Sequence, residues 1–181
     1  MAKPDLDPFS LLNAMQRAGR RAAPTLPEQT AQVAKLWSGL GFRVGDMQFV
    51  TPLNQVSEVL SCPPVTLVPG TKRWLKGVAN VRGNLLTIVD LPDYFGKDPV
   101  PAGEQARMLV MNIPGFNAAL MVHEVLGLRH FDEQSEKRDV SSVEDRFSTH
   151  LRGAFLRDNT LWGVFDLHSL AEAASFLHVA A

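Results

Sequence analysis

The chain holds one cysteine, one tyrosine and almost no net charge. A single thiol, Cys62, excludes an internal disulfide and fits a reducing compartment. It precedes Pro63-Pro64 in an expected turn, where an incidental small side chain is a simpler reading than a nucleophile. A formal charge of −1 gives no bulk attraction to nucleic acid or acidic membranes. No apolar run approaches the roughly 20 residues of a membrane-spanning helix, so no direct membrane insertion is expected. The first residues lack the apolar centre of a signal peptide, and Asp5 and Asp7 argue against a transit peptide despite Arg17, Arg20 and Arg21. A soluble, cytoplasmic protein is expected. The five histidines (His123, His130, His150, His168 and His178) lack metal-ligand spacing, and Gly39 and Gly41 lack the rest of a dinucleotide motif. No cofactor and no metal are expected.

What is present is an internal echo. Gly77, Leu85, Asp90 and Leu91 match Gly153, Leu161, Asp166 and Leu167 at a constant offset of 76 residues. Val56-Ser57-Glu58-Val59-Leu60 is answered by Val122-His123-Glu124-Val125-Leu126 at an offset of 66. Both echoes run in the same order, which points to one folding unit used twice. With 45% hydrophobic residues among 181, the chain can bury a sizeable core.

Residues 1–38 read as helical. Asp7 can cap a helix with Pro8 at its first position, and Val33, Leu36, Trp37 and Leu40 fall at i, i+3, i+4, i+7. This apolar stripe is expected to pack on the remainder or on a partner. From residue 39 the period becomes two, with Leu40, Phe42 and Val44 alternating before a Gly45-Asp46 hairpin turn. Further strands are expected over 47–50, 56–60, 78–82 and 85–89, the last two joined at Gly83-Asn84. Residues 97–106 read as a linker. Strands follow over 107–112, 118–122, 127–131, 153–157 and 161–165, and residues 132–146 read as a charged, solvated loop. Ser169 and Glu172 form a capping box for a last helix. Short strands at this spacing favour barrels, whose closure removes exposed edges. The expected division is a helical extension over 1–38, a first barrel over about 39–96, a second over about 107–168, and a C-terminal helix over 169–178.

The segments VSEVL, KGVANVRG and NLLTIVDL, joined through VTLVPGTKRW, resemble the CheW family of chemotaxis coupling proteins. In the second half, ALMVHEVLGLRHF and LRGAFLRDNTLWGVFDLHSL extend the resemblance over residues 38–178. The helical start followed by LWSGLGFRVGD is similar to the branch of adaptors serving type IV pili and twitching motility, with flagellar chemotaxis as the alternative. His123 and Leu120 depart from the family's usual Asp and Gly. The resemblance implies a mainly β fold of two intertwined five-stranded β-barrels. It implies a non-enzymatic scaffold coupling the cytoplasmic tip of a methyl-accepting chemoreceptor to the regulatory domain of a CheA-type histidine kinase, recruited to membrane-associated receptor arrays.

Candidate binding residues follow. Arg82 carries a planar fork of donors suited to carboxylates or backbone carbonyls. Asn80 is placed to brace the turn or touch a partner. Val56 and Glu58 lie two apart and share a face of one strand. These four are the expected receptor contacts. Val65 and Leu67 also share a face and are the expected kinase contacts. Two readings from other classes compete. An enzyme would use the equivalent carboxylates Asp90 and Asp166 in a deep polar pocket. A barrel binding single-stranded nucleic acid would expose aromatic side chains on a basic groove. Both aspartates are better explained as caps, since each follows an apolar strand and precedes a turn or helix.

Overall fold

A computed structural model describes residues 36–101, 106–132, 136–137 and 145–181. The expected helices before residue 36 lie outside these residues. Strands form where period-two patterning meets a turn signal. β1 (Leu36–Val44) and β2 (Met47–Pro52) turn at Gly45, whose φ of 59° suits glycine. A 3-10 turn (Leu53–Gln55) leads into β3 (Val56–Ser61). β4 (Leu75–Val81) and β5 (Asn84–Asp90) form a hairpin that ends in the one-turn helix α1 (Leu91–Tyr94). β6 (Arg107–Met111), β7 (Ala118–Val122) and β8 (Glu124–Asp132) follow. The short β9 (Glu136–Lys137), α2 (Asp145–Ser148), β10 (Leu151–Arg157), β11 (Thr160–Phe165), α3 (Leu167–Glu172) and α4 (Ala174–Leu177) complete the order.

The two sheets run β8-β1-β2-β11-β10-β9 and β3-β6-β7-β5-β4. The two halves have exchanged their first hairpins. β1 and β2 join the strands of the second half, while β6 and β7 join β3, β4 and β5 of the first. A parallel contact closes each exchange, β2 on β11 and β7 on β5. The fold is therefore two intertwined β-barrels, and the division expected at residues 97–106 is not the division between the sheets. Within that expected linker Val100 is buried, its N–H bonded to the Asp90 carboxylate.

The sequence echo is visible in the registers. In the first half Leu75 faces Val89 and Gly77 faces Ile88; in the second, Leu151 faces Phe165 and Gly153 faces Val164. Each hairpin carries a bulge at one residue, Lys76 or Arg152, also 76 apart. Each bulge projects its cation onto the aspartate that ends the hairpin. Lys76 Nζ lies 3.4 Å from Asp90, and Arg152 Nη2 lies 2.7 Å from Asp166. Both aspartates cap the helix that follows, accepting from Asp93 N and His168 N. A repeated strand–turn–strand–cap unit thus neutralises its own capping charge with its own bulge.

Three cores result. A shared core joins the barrels through Phe42, Phe49, Phe147, Phe165, Leu91, Leu109 and Leu120. Ile88, Met108 and Ala119 fill one barrel; Val50, Phe131, Phe155 and Trp162 fill the other.

Several local readings change. Leu36, Trp37 and Leu40 lie in β1 rather than in a helix. Gly39 and Gly41 disfavour helix. A Cβ on Gly39 would come within 2.7 Å of Thr51 O and the Trp37 ring, so the close pairing with β2 needs glycine there. Trp37 packs instead on Phe131 and Phe155. The hairpin after β4 turns at Arg82-Gly83, both at positive φ, one residue earlier than expected. Ser169 is no cap: Asp166 caps α3, and the Ser169 hydroxyl donates to Thr149 O. The last helix breaks at Ala173, whose ψ of 125° is extended. Within the expected 132–146 loop, Glu136–Lys137 pairs with β10 and Asp145–Ser148 is helical.

Candidate functional site

Three of the four expected receptor residues, Glu58, Asn80 and Arg82, come together at one end of the β3-to-β4 sheet. β3 and β4 are its two edge strands, and their side chains meet across the opening. Arg82 Nη1 lies 2.8 Å from Glu58 Oε2. Arg82 reaches there because it sits in a left-handed turn position, φ 50°, which throws its side chain off the hairpin tip. Asn80 Oδ1 accepts from Gly83 N at 2.9 Å and so holds that turn. The Arg82 side chain is 75% exposed, so its fork remains open on one side. Val56 is half-buried and packs on the shared core. Beneath the pair lies a groove of about 470 Å³, lined by Ser57, Glu58, Val81, Leu86, Ile113 and Phe116 among others. Leu85, which pairs with Asn80, is 62% exposed, and Val59 on β3 is also exposed. Residue-type reasoning missed these two. Their signal was the period-two alternation itself, which puts Val59 on the face opposite Glu58.

The expected kinase residues do not form a matched pair. Val65 packs into a barrel core beside Cys62 and Leu60, whereas Leu67 is 78% exposed. Between them Thr66 forms two backbone hydrogen bonds with Val78 of β4, at 2.8 and 2.9 Å. The apolar surface here is Leu67 with Val68. Burial pushes the Cys62 thiol up, away from a reactive thiolate.

The competing carboxylates are occupied. Asp90 is fully buried and accepts from Asp93 N and Val100 N. Asp166 accepts from Gln55 Nε2 at 2.8 Å, Arg152 Nε at 2.7 Å and His168 N at 3.1 Å. Burial pushes its pKa up, but the hydrogen bonds from Arg152 and Gln55 outweigh it and leave the group below its ordinary value. A general acid needs the opposite shift. Asp93 is held down in the same way by Arg73 and Lys76 against its burial. Among the described residues no group of His, Cys, Asp and Glu has metal-holding geometry, no aromatic side chain is among the exposed large hydrophobics, and no helix is long and apolar enough to cross a membrane.

Comparison with known proteins shows the family. The family profile described as CheW-like domain matches residues 38–175. Protein PilI of Pseudomonas aeruginosa is 42% identical over 173 residues, spanning 96% of each chain. Chemotaxis protein CheW of Thermotoga maritima is 23% identical over 144 residues, 78% of this chain and 92% of that one. The crystal structure of the scaffolding protein TtCheW from Thermoanaerobacter tengcongensis superposes with a TM-score of 0.66 at 23% identity, covering 76% of this chain and 94% of that one. The exchanged-hairpin double barrel is thus a shared fold, and the chain belongs to the CheW-like family of chemotaxis scaffold proteins.

Proposed function

We propose that this chain is a non-enzymatic adaptor that couples the cytoplasmic tip of a methyl-accepting chemoreceptor to the regulatory domain of a CheA-type histidine kinase. The observation that carries the reading is the Arg82–Glu58 pair spanning the sheet opening above a groove, with exposed Leu85 beside Asn80 at the same end. An apolar rim with one open guanidinium suits a helical tip bearing both apolar and acidic residues. Val56, Glu58, Asn80 and Arg82 form this receptor face. Leu67, with Val65 anchoring its segment, forms the kinase face. The protein works in the cytoplasm, recruited to membrane-bound receptor arrays, and binds no nucleic acid. The likeness to PilI over nearly the whole chain supports the type IV pilus branch over flagellar chemotaxis. In the proposed division of labour the barrels carry both faces, and residues 1–38 distinguish this adaptor from minimal members of the family.

The test is reconstitution of receptor-dependent kinase activation with purified receptor, kinase and adaptor. The wild-type protein should restore activation and Arg82→Ala should not, with both melting alike. An Arg82→Ala variant that activates fully, or a wild-type protein that binds neither partner, would refute the reading.

A further inference from the structure

The exposed pair Leu67-Val68 sits in a long connection, residues 62–74, between β3 and β4. Such a segment should move freely, since exposed loops hold few contacts. Here it is fastened at two points, one on each side of the pair. The first is Thr66, bonded twice to Val78. That fastening is tight enough to require glycine at position 77: a Cβ there would lie 2.1 Å from Thr66 O, and Gly77 has φ 134°. The second fastening is made by residues 179–181. Lys72 N donates to Val179 O at 2.9 Å, and Ala181 N donates to Gly70 O at 3.0 Å. These bonds flank an antiparallel bridge between Thr71 and Ala180. Thr71 Oγ1 donates to Val68 O at 2.8 Å, which carries the second fastening back to the apolar pair.

The segment at 179–181 is itself anchored. Phe176 of α4 stacks on Trp74 at 5.9 Å and 7°, Tyr94 meets both rings edge-on, and its hydroxyl lies 2.6 Å from Ser175 Oγ. Aromatic contacts of this kind add to the area they bury and hold α4 against the loop's base. The connection is thereby suspended between β4 and residues 179–181.

The geometry points to a positioning role for Val179–Ala181: this segment pre-organises Leu67 and Val68 for docking a protein partner. A surface held in its bound shape loses less conformational freedom on binding and so binds tighter. The inference rests on the kinase face proposed above, and the experiment separates the two.

Three proteins are compared: wild type, a variant ending at His178, and Leu67→Asp. The first readout is affinity for the purified regulatory domain of the CheA-type kinase from the same cell. The second is the backbone order parameter at Leu67 and Val68, measured on the free adaptor. The shortened variant should bind about tenfold more weakly (about 1.4 kcal/mol), and its order parameters should fall from about 0.85 toward 0.6. Its Thr66 amide should stay protected from hydrogen exchange. If the shortened variant misfolds, Ala181→Pro, which removes the N–H given to Gly70 and fixes the backbone φ at 181, is measured in its place. Loss of binding by Leu67→Asp with unchanged affinity and order in the shortened variant would overturn the positioning role alone. Absence of binding by the wild type would overturn the kinase face, and the order parameters would then decide the clamp: unchanged values in the shortened variant refute it.

Discussion

Gln55 is a buried amide that stitches the two halves, and its removal should cost more than any surface change described above. It is 3% exposed, in the 3-10 turn between β2 and β3. Its Nε2 donates to Asp166 Oδ1 at 2.8 Å, and its Oε1 accepts from Leu167 N at 2.7 Å and from Thr51 Oγ1 at 3.3 Å. Gln55→Ala leaves Leu167 N, on a fully buried residue, without its acceptor, a penalty of about 1–3 kcal/mol. It also removes a hydrogen bond to a carboxylate, about 1.5–3 kcal/mol. The sum is about 2.5–6 kcal/mol. For a chain of this length that lowers the melting temperature by about 5–24 °C. Gln55→Glu sharpens the test. It keeps the acceptor for Leu167 N but faces the Asp166 carboxylate with a second one. The like-charge clash is present at neutral pH and is relieved when one of the pair protonates. Gln55→Glu should therefore recover toward wild type as pH falls toward 5, whereas Gln55→Ala should not. Urea melts of all three proteins across this range are the assay. A Gln55→Ala protein within about 1 kcal/mol of wild type would refute the claim that this amide joins the halves.

The remaining predictions are smaller in scope. Arg82→Ala should change stability by less than about 1 kcal/mol, because exposed ion pairs contribute about 0.2–1 kcal/mol; a drop of several degrees in the melt would make Arg82 a structural residue. Gly77→Ala should release the Thr66 fastening, read as accelerated hydrogen exchange of the Thr66 and Val78 amides; unchanged protection would mean the loop adapts to the extra methyl. Burial, the largest influence on His150, holds its pKa below 6.5, so the fold keeps it neutral. Its contribution is then present above pH 6.5 and lost as the pH falls toward its folded value. His150→Gln should flatten the melting-temperature profile as the pH falls below about 6.5, and an unchanged slope would assign the acid sensitivity elsewhere. The pKa values of Asp93 and Asp166 are held below 3.8, so a further loss of stability should begin only as pH falls below about 4.

Much of the fold was legible in one dimension because its determinants are local. Period-two alternation marked β1 from Leu40 to Val44, turn signals marked the hairpins, and the spaced Gly, Leu and Asp of the echo marked a unit whose registers coincide at the same offset. Asp90 and Asp166 were legible as caps because a carboxylate after an apolar strand has a near neighbour to bond. The Leu36–Leu40 stripe misled because apolar residues at 36, 37 and 40 satisfy a helix as well as a strand. Only pairing with β2 and β8 selects between them, and that contact comes from residues up to 96 positions away (Leu36 with Asp132).

The sequence by itself determined that the chain is built of short strands used twice over, with turns at glycine and asparagine, caps at two aspartates, and a family resemblance carried by VSEVL and KGVANVRG. Tertiary structure alone decided which hairpin belongs to which sheet, because hydrogen bonds between edge strands are backbone bonds that no side-chain pattern encodes. It also decided that Arg82 meets Glu58 across an opening, that Gln55 serves Asp166, and that residues 179–181 fasten the loop displaying Leu67. Each joins residues at least 24 positions apart, which no local sequence pattern can bring side by side.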